Sequence, residues 1–333
     1  MIGRPCLLGL AAAGLAVPLQ AQTVPSQFDT VPQLPQIDGS TQTDDIRFNN
    51  DGYERMTVPV HVGGTGPYRF LVDTGADRTA ISREIAGRLG LVAASTARLH
   101  SVIGAVRVSV TNVPLLQLSR REVRDIEAPL LERSHMGADG ILGTDSLRSQ
   151  RVVFDFKAQT LSIVPSQSRP VEEDEGAIVV TGRMKSGRLI VTDARADGQG
   201  VRVVLDTGAQ YSVANEALMK RLQRRGVLSL RGETVLVSVT GDKAVGQIAI
   251  LRELEIGGVG LTGLPIVFTK APIFKQLGLD NRPALLLGMN ALRGFDKVSI
   301  DFATRKLRLV LPEEGSLGRR AYAARWPASF SRR

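Results

Sequence analysis

The same four residues occur twice in this chain, as Asp73-Thr74-Gly75-Ala76 and as Asp206-Thr207-Gly208-Ala209. Each copy closes a short apolar run, Phe70-Leu71-Val72 in the first and Val203-Val204-Leu205 in the second. A carboxylate at the end of a buried strand is heavily penalised unless a partner or a proton relieves its charge. With two copies present, the partner that each calls for is the other. Two carboxylates within hydrogen-bonding reach do not both ionise cheaply, so they share one proton over a useful pH range. Asp73 and Asp206 are therefore the candidate catalytic pair, and the repeat leaves open which of them acts as the base. The competing reading is a pair of turn-capping carboxylates in a duplicated β domain.

The elements that would position this pair are duplicated as well. Arg55–Ala76 aligns without a gap on Arg188–Ala209, 133 residues later. Met56, Val58, Val60 and Val62 alternate with Thr57, Pro59 and His61, the period of two expected of a half-buried strand. Gly63-Gly64-Thr65-Gly66-Pro67 and Asp197-Gly198-Gln199-Gly200 read as the turns of two β-hairpins that deliver each aspartate to a strand end. A short helix is expected after each motif, over 82–89 with Ser82 as N-cap and over 215–225 stopped by Gly226. Hairpins with mobile tips are expected at Ser101-Val102-Ile103-Gly104-Ala105 and Ser238-Val239-Thr240-Gly241. Late in each half, Gly140-Ile141-Leu142-Gly143 is answered by Leu285-Leu286-Leu287-Gly288, and Val152–Phe156 by Val298–Phe302. Asp155 and Asp301 repeat there too, mid-strand, where a structural role is expected.

These repeats resemble the subunit of retropepsin-like aspartic proteases, over nearly all of 55–164 and 188–311. The resemblance rests on the Leu-Val-Asp-Thr-Gly-Ala-like strand ends, the glycine-bearing hairpins and the Ile-Leu-Gly segments in the same order in both halves. It implies an all-β enzyme of two pseudo-twofold-related retropepsin- or pepsin-like barrel lobes with short helices, fused in one chain. It also implies hydrolysis of a polypeptide by water activated between Asp73 and Asp206. The aspartic-protease dyad is itself the standard example of a shared carboxylate proton. By resemblance, Thr74 and Thr207 cross-link the two loops, and flaps near Gly104 and Gly241 close over an extended substrate. Gly75 and Gly208 let the backbone approach closely, and their N–H groups can bond the carboxylates. Gly143 and Gly288 would let the apolar strands pass under the loops.

Composition fits this reading and narrows the rivals. The 333 residues are 43% hydrophobic and 23% charged, enough for two medium domains. Arg4 followed by the apolar run Cys6–Val17 and a small residue at Ala21 reads as a signal peptide over 1–21, and a periplasmic location is expected. The single cysteine, Cys6, would leave with it. The expected order then runs through a polar leader, propeptide or edge strand over 22–54, a first lobe over 55–164, a linker and lead-in over 165–187, a second lobe over 188–312 and a basic tail over 313–333. That tail, with Arg319, Arg320, Arg325, Arg332 and Arg333, contributes to the net charge of +9 and reads first as a solvated, partly disordered end, with a weak contact to the cell envelope as the sharper alternative. No nucleic-acid footprint is expected, no cofactor, and no metal, since His61, His100 and His135 lack ligand spacing. A monomer suffices. The rival function is a catalytically silent peptide- or envelope-binding module on the same fold.

Overall fold

Residues 34–38, 40–50, 55–148, 150–166, 177–312 and 320–322 are described by the computed structural model. The expected signal peptide and nearly all of the basic tail lie outside them. The chain is all-β, with strands throughout and short helices between them.

In the first lobe, Met56–Val62 and Thr65–Val72 form an antiparallel hairpin, with Leu71 opposite Thr57. The turn is confined to Gly63 and Gly64, at φ of 57° and 80°, a left-handed region that residues with a Cβ rarely enter. Gly140–Leu142 lies parallel to the second strand, placing Leu142 beside Val72. The second lobe repeats the arrangement, with Arg188–Val191 paired to Arg202–Leu205 and Ala284–Leu287 parallel to the latter. Both aspartates thus emerge from strands that are covered on each flank by another apolar strand. Each lobe then projects a long hairpin, Ala93–His100 with Ala105–Leu118 and Leu230–Val237 with Lys243–Ile256. The expected helices form at Arg83–Arg88 and Glu216–Arg224. Ser82 Oγ accepts from Ile85 N–H and Asn215 Oδ1 from Leu218 N–H, satisfying donors that a helix start leaves open.

The lobes are joined by one sheet. Its order is Ile46–Arg47, Thr160–Pro165, Gln150–Asp155, Lys297–Asp301, Lys306–Val310, Ile178–Lys185. The central pair, Gln150–Asp155 with Lys297–Asp301, crosses from one half of the chain to the other. Phe154, Leu161, Val298, Ile300 and Leu307 are fully buried along it, so the apolar core runs continuously through both lobes.

Three sequence expectations are answered by the structure. Of the readings for 22–54, the described part takes that of added strands: Gln36–Ile37, Ile46–Arg47 and Asn49–Asn50 each pair with a strand, and Ile46 and Phe48 are buried. Asp155 and Asp301 close their strands instead of sitting within them, and accept from Ala158 and Thr304 N–H at the following turns. Within the tail, Arg320–Tyr322 lies parallel to the strand Val259–Phe268. Truncating the shared core tests its importance. Phe154→Ala should cost about 3–5 kcal/mol, read as a lower urea midpoint for one common transition of both lobes.

Candidate active site

Each aspartate is fixed first by its own strand. Asp73 N–H donates to Leu142 O at 3.0 Å, and Asp206 N–H to Leu287 O at 3.0 Å. The chain then turns sharply, and the carboxylate folds back on its own loop. Asp73 Oδ1 accepts from Gly75 and Ala76 N–H at 2.8 and 3.0 Å, and Asp206 Oδ1 from Gly208 and Ala209 N–H at 3.1 Å each.

The two loops meet through their threonines. Thr74 N–H donates to Thr207 Oγ1 at 3.0 Å, and Thr207 N–H to Thr74 Oγ1 at 3.2 Å. Each hydroxyl passes its own proton across the interface, Thr74 to Leu205 O and Thr207 to Val72 O, at 3.1 and 2.6 Å. Both side chains are buried, so four interlobe bonds replace water at groups that would otherwise stay unsatisfied. Glycine is required next to the aspartates. A Cβ on Gly75 would sit 2.5 Å from Asp206 Oδ1, and one on Gly208 would overlap the Asp73 carboxylate.

Behind the loops, Gly143 and Gly288 carry the crossing strands. A Cβ on Gly288 would lie 2.6 Å from the Tyr211 carbonyl carbon. Gly143 N–H donates to Thr79 Oγ1 and Gly288 N–H to Ser212 Oγ, both at 3.1 Å. Thr79 is held in turn by Asp145, and Ser212 by Asn290. The Asp145 carboxyl is pushed up by its burial, against the Thr79 bonds that favour its charge.

Two arginines complete the site, and sequence reasoning missed them. Arg188 Nε donates across the interface to Gly75 O at 2.6 Å, and its Nη2 lies 3.9 Å from Asp77 Oδ1. Arg55, at the same place in the repeat, reaches Gly208 O at 3.5 Å and Met136 O at 2.5 Å. Both are buried. The signal was their shared position at the head of the aligned segment, where a lone cation reads as a solvated strand start.

Burial and the neighbouring Asp73 carboxylate push Asp206 up from 3.8 to about 7, against Arg188 and the loop N–H groups. Asp73 is also raised, again chiefly by burial, against Gly75 N–H, Arg188 and Arg55. One proton held between the two carboxyls is the state this environment favours.

Above the pair is a cavity of about 610 Å³ lined by both lobes. The two long hairpins arch over it. Their tips are Ser101–Gly104 and Ser238–Asp242, and each opening serine accepts N–H bonds from within its own tip. Val102 packs on the apolar cluster of the second lobe, and Val239 on that of the first. Gly104 faces Asp242, whereas Gly241, at φ of 85°, lies against the His135 ring. Among the described residues no group of three His, Cys, Asp or Glu is placed to hold a metal.

The threonine contact carries a stability test. Thr207→Val should leave Thr74 N–H and Val72 O buried without partners and cost about 2–4 kcal/mol, whereas Thr207→Ser should cost far less. Chemical denaturation of the two variants reads the difference.

Comparison with known families agrees with this architecture. Residues 58–149 match the family described as gag-polyprotein putative aspartyl protease, and residues 192–291 match the aspartyl protease family. No curated protein matches the sequence significantly. Each match contains one Asp-Thr-Gly-Ala loop and its crossing strand. The chain belongs to the retropepsin-like aspartyl proteases, with two protease repeats in tandem.

Proposed function

We propose that the protein is an aspartic endopeptidase in which Asp73 and Asp206 jointly activate one water. The observation that carries this reading is the pair itself: two carboxyls, raised by burial, whose loops are locked to each other by the Thr74–Thr207 bonds. The ionised member takes a proton from the water as its oxygen attacks the peptide carbonyl carbon. The protonated member gives its proton to the carbonyl oxygen, leaving a neutral tetrahedral diol. The newly protonated carboxyl then gives its proton to the amide nitrogen while the ionised one takes a proton from a diol hydroxyl; the C–N bond breaks to leave a carboxylic acid and an amine, and the pair returns to one shared proton. No covalent enzyme intermediate is required.

The remaining chain supplies geometry. The loop N–H groups hold one oxygen of each carboxylate, and both aspartates line the cavity. The hairpin tips at Gly104 and Gly241 would close over an extended peptide and exclude water. We also propose export to a periplasm, on the pattern of Arg4, the apolar run Cys6–Val17 and Ala21. N-terminal sequencing of the mature protein tests that location.

Asp73→Asn and Asp206→Asn should each lower kcat on an unfolded protein substrate by about 10³-fold or more. Wild-type rates in either variant would remove the dyad from the mechanism. Peptide binding without cleavage by the wild type would instead favour the silent binding module. The pH dependence has a fixed sign. The shared proton is lost as pH rises through about 7, so activity should fall there. Stability should follow the same direction. The folded state binds protons more tightly than the unfolded chain between 3.8 and about 7, so unfolding free energy drops as pH rises across that window. Asp206→Asn should flatten this slope in denaturation curves taken across the same range.

A further inference from the structure

The two hairpins that arch over the cavity repeat each other in backbone but differ in their outer faces. Side chains alternate along a strand, so the pairing register sorts each hairpin into two sides. In the first hairpin Leu99 pairs with Val106, and both pack on an apolar cluster of the lobe beneath. In the second, Leu236 pairs with Ala244 and packs inward likewise. The alternate pairs therefore point away from the lobes. They include Arg98–Arg107 on the first hairpin, and Val235–Val245 and Val237–Lys243 on the second. Counting from the inward leucines, Arg98 and Arg107 hold the places that Val235 and Val245 hold in the other half.

Both faces are unfavourable when left to water. Arg98 stands directly opposite Arg107, where like charges repel. Both are exposed, as is Lys243, and none of the three forms an ion pair with a described residue. The acids nearby do not offset them: Glu233 lies opposite Gln247 farther along the second hairpin, and Asp242 at its tip accepts from Thr240 Oγ1. Val235, Val237 and Val245 form a contiguous apolar row and are 57%, 58% and 62% exposed, the first two reaching the cavity mouth. An occupant that suits both faces is anionic and apolar at once. A second copy of the chain would bring cations to cations, and three valines fall far short of the ~1,000 Å² that a stable protein interface buries. A bilayer with anionic lipid supplies headgroups for the arginines and an acyl margin for the valines, without a large contact area.

We propose that the outer faces of the two hairpins dock on an anionic lipid bilayer, which sets the cavity mouth at the membrane surface. One hairpin supplies charge and the other an apolar wedge. The inference goes beyond the endopeptidase reading and does not depend on it, since binding is read without cleavage.

The test is co-sedimentation of the full chain with phosphatidylcholine vesicles, with and without phosphatidylglycerol, at low and high salt. Binding should require phosphatidylglycerol and weaken as salt rises. Arg98→Glu with Arg107→Glu should lower the partition coefficient about tenfold or more, and Val245→Glu about fivefold or more. Circular dichroism checks that each variant is folded. A fluorophore on Val245→Cys, in a Cys6→Ser background, should shift to the blue on the same vesicles, a contact readout that stands even where a charge variant misfolds. Binding that survives both sets of substitutions, as it would through the basic tail, overturns the proposal. So does equal binding to uncharged vesicles, an unshifted fluorophore, or a dimer in light scattering that Val245→Glu abolishes while vesicles are not bound.

Discussion

Keeping Asp73 and Asp206 side by side at the interface of the lobes is the costly arrangement around which the centre of this molecule is built. Burial raises both carboxyls, and the charge of Asp73 raises Asp206 further. Left alone, the loops would separate and hydrate. The opposing forces are specific: four loop N–H bonds to the two Oδ1 atoms, four reciprocal threonine bonds, and Arg188 reaching across to Gly75 O. None of these removes the shared proton. They stabilise one negative charge on the pair and leave the second unfavourable, which is the condition that acid–base catalysis by a carboxyl pair requires.

Much of this was legible in the sequence, for a physical reason. The Asp-Thr-Gly-Ala loop, the turn at Gly63-Gly64 and the cap at Ser82 are local, so consecutive residues encode them. The duplication supplied the one long-range contact that mattered, because two identical buried acids imply each other. The joining sheet was less accessible: the pairing of Gln150–Asp155 with Lys297–Asp301 spans more than a hundred residues, and periodicity does not name a strand's partner. Residues 34–50 were hard to place because their polar composition hides two anchors, Ile46 and Phe48. Arg55 and Arg188 were overlooked because a cation at a strand start ordinarily faces water, whereas here the opposing lobe buries it.

Departures from the repeat fall beside the Asp-Thr-Gly-Ala loops and not in them. Thr74 and Thr207, Gly75 and Gly208, Gly143 and Gly288 are matched in both identity and bonding. Asp77 and Arg78 correspond to Gln210 and Tyr211, Asp145 corresponds to Asn290, and His135 lies under only one of the two hairpin tips. Reciprocal bonds across an interface demand equivalent partners, so symmetry is retained where the halves grip each other. Groups that meet a substrate carry no such demand, because a peptide has a direction and its two flanks differ.

Fusion into one chain is what makes that division of labour available. Two separate identical subunits would present the same wall twice and would assemble only above a threshold concentration. Here the strands Gln150–Asp155 and Lys297–Asp301 bring the halves together within one molecule, and the continuous buried core makes each lobe part of the other's stability. Assembly of the carboxyl pair then no longer depends on protein concentration, and each half is free to vary wherever it faces the cavity. Arg78 in one repeat and Tyr211 in the other are such a variation: a charge that a symmetric dimer would have to place on both halves is placed on one.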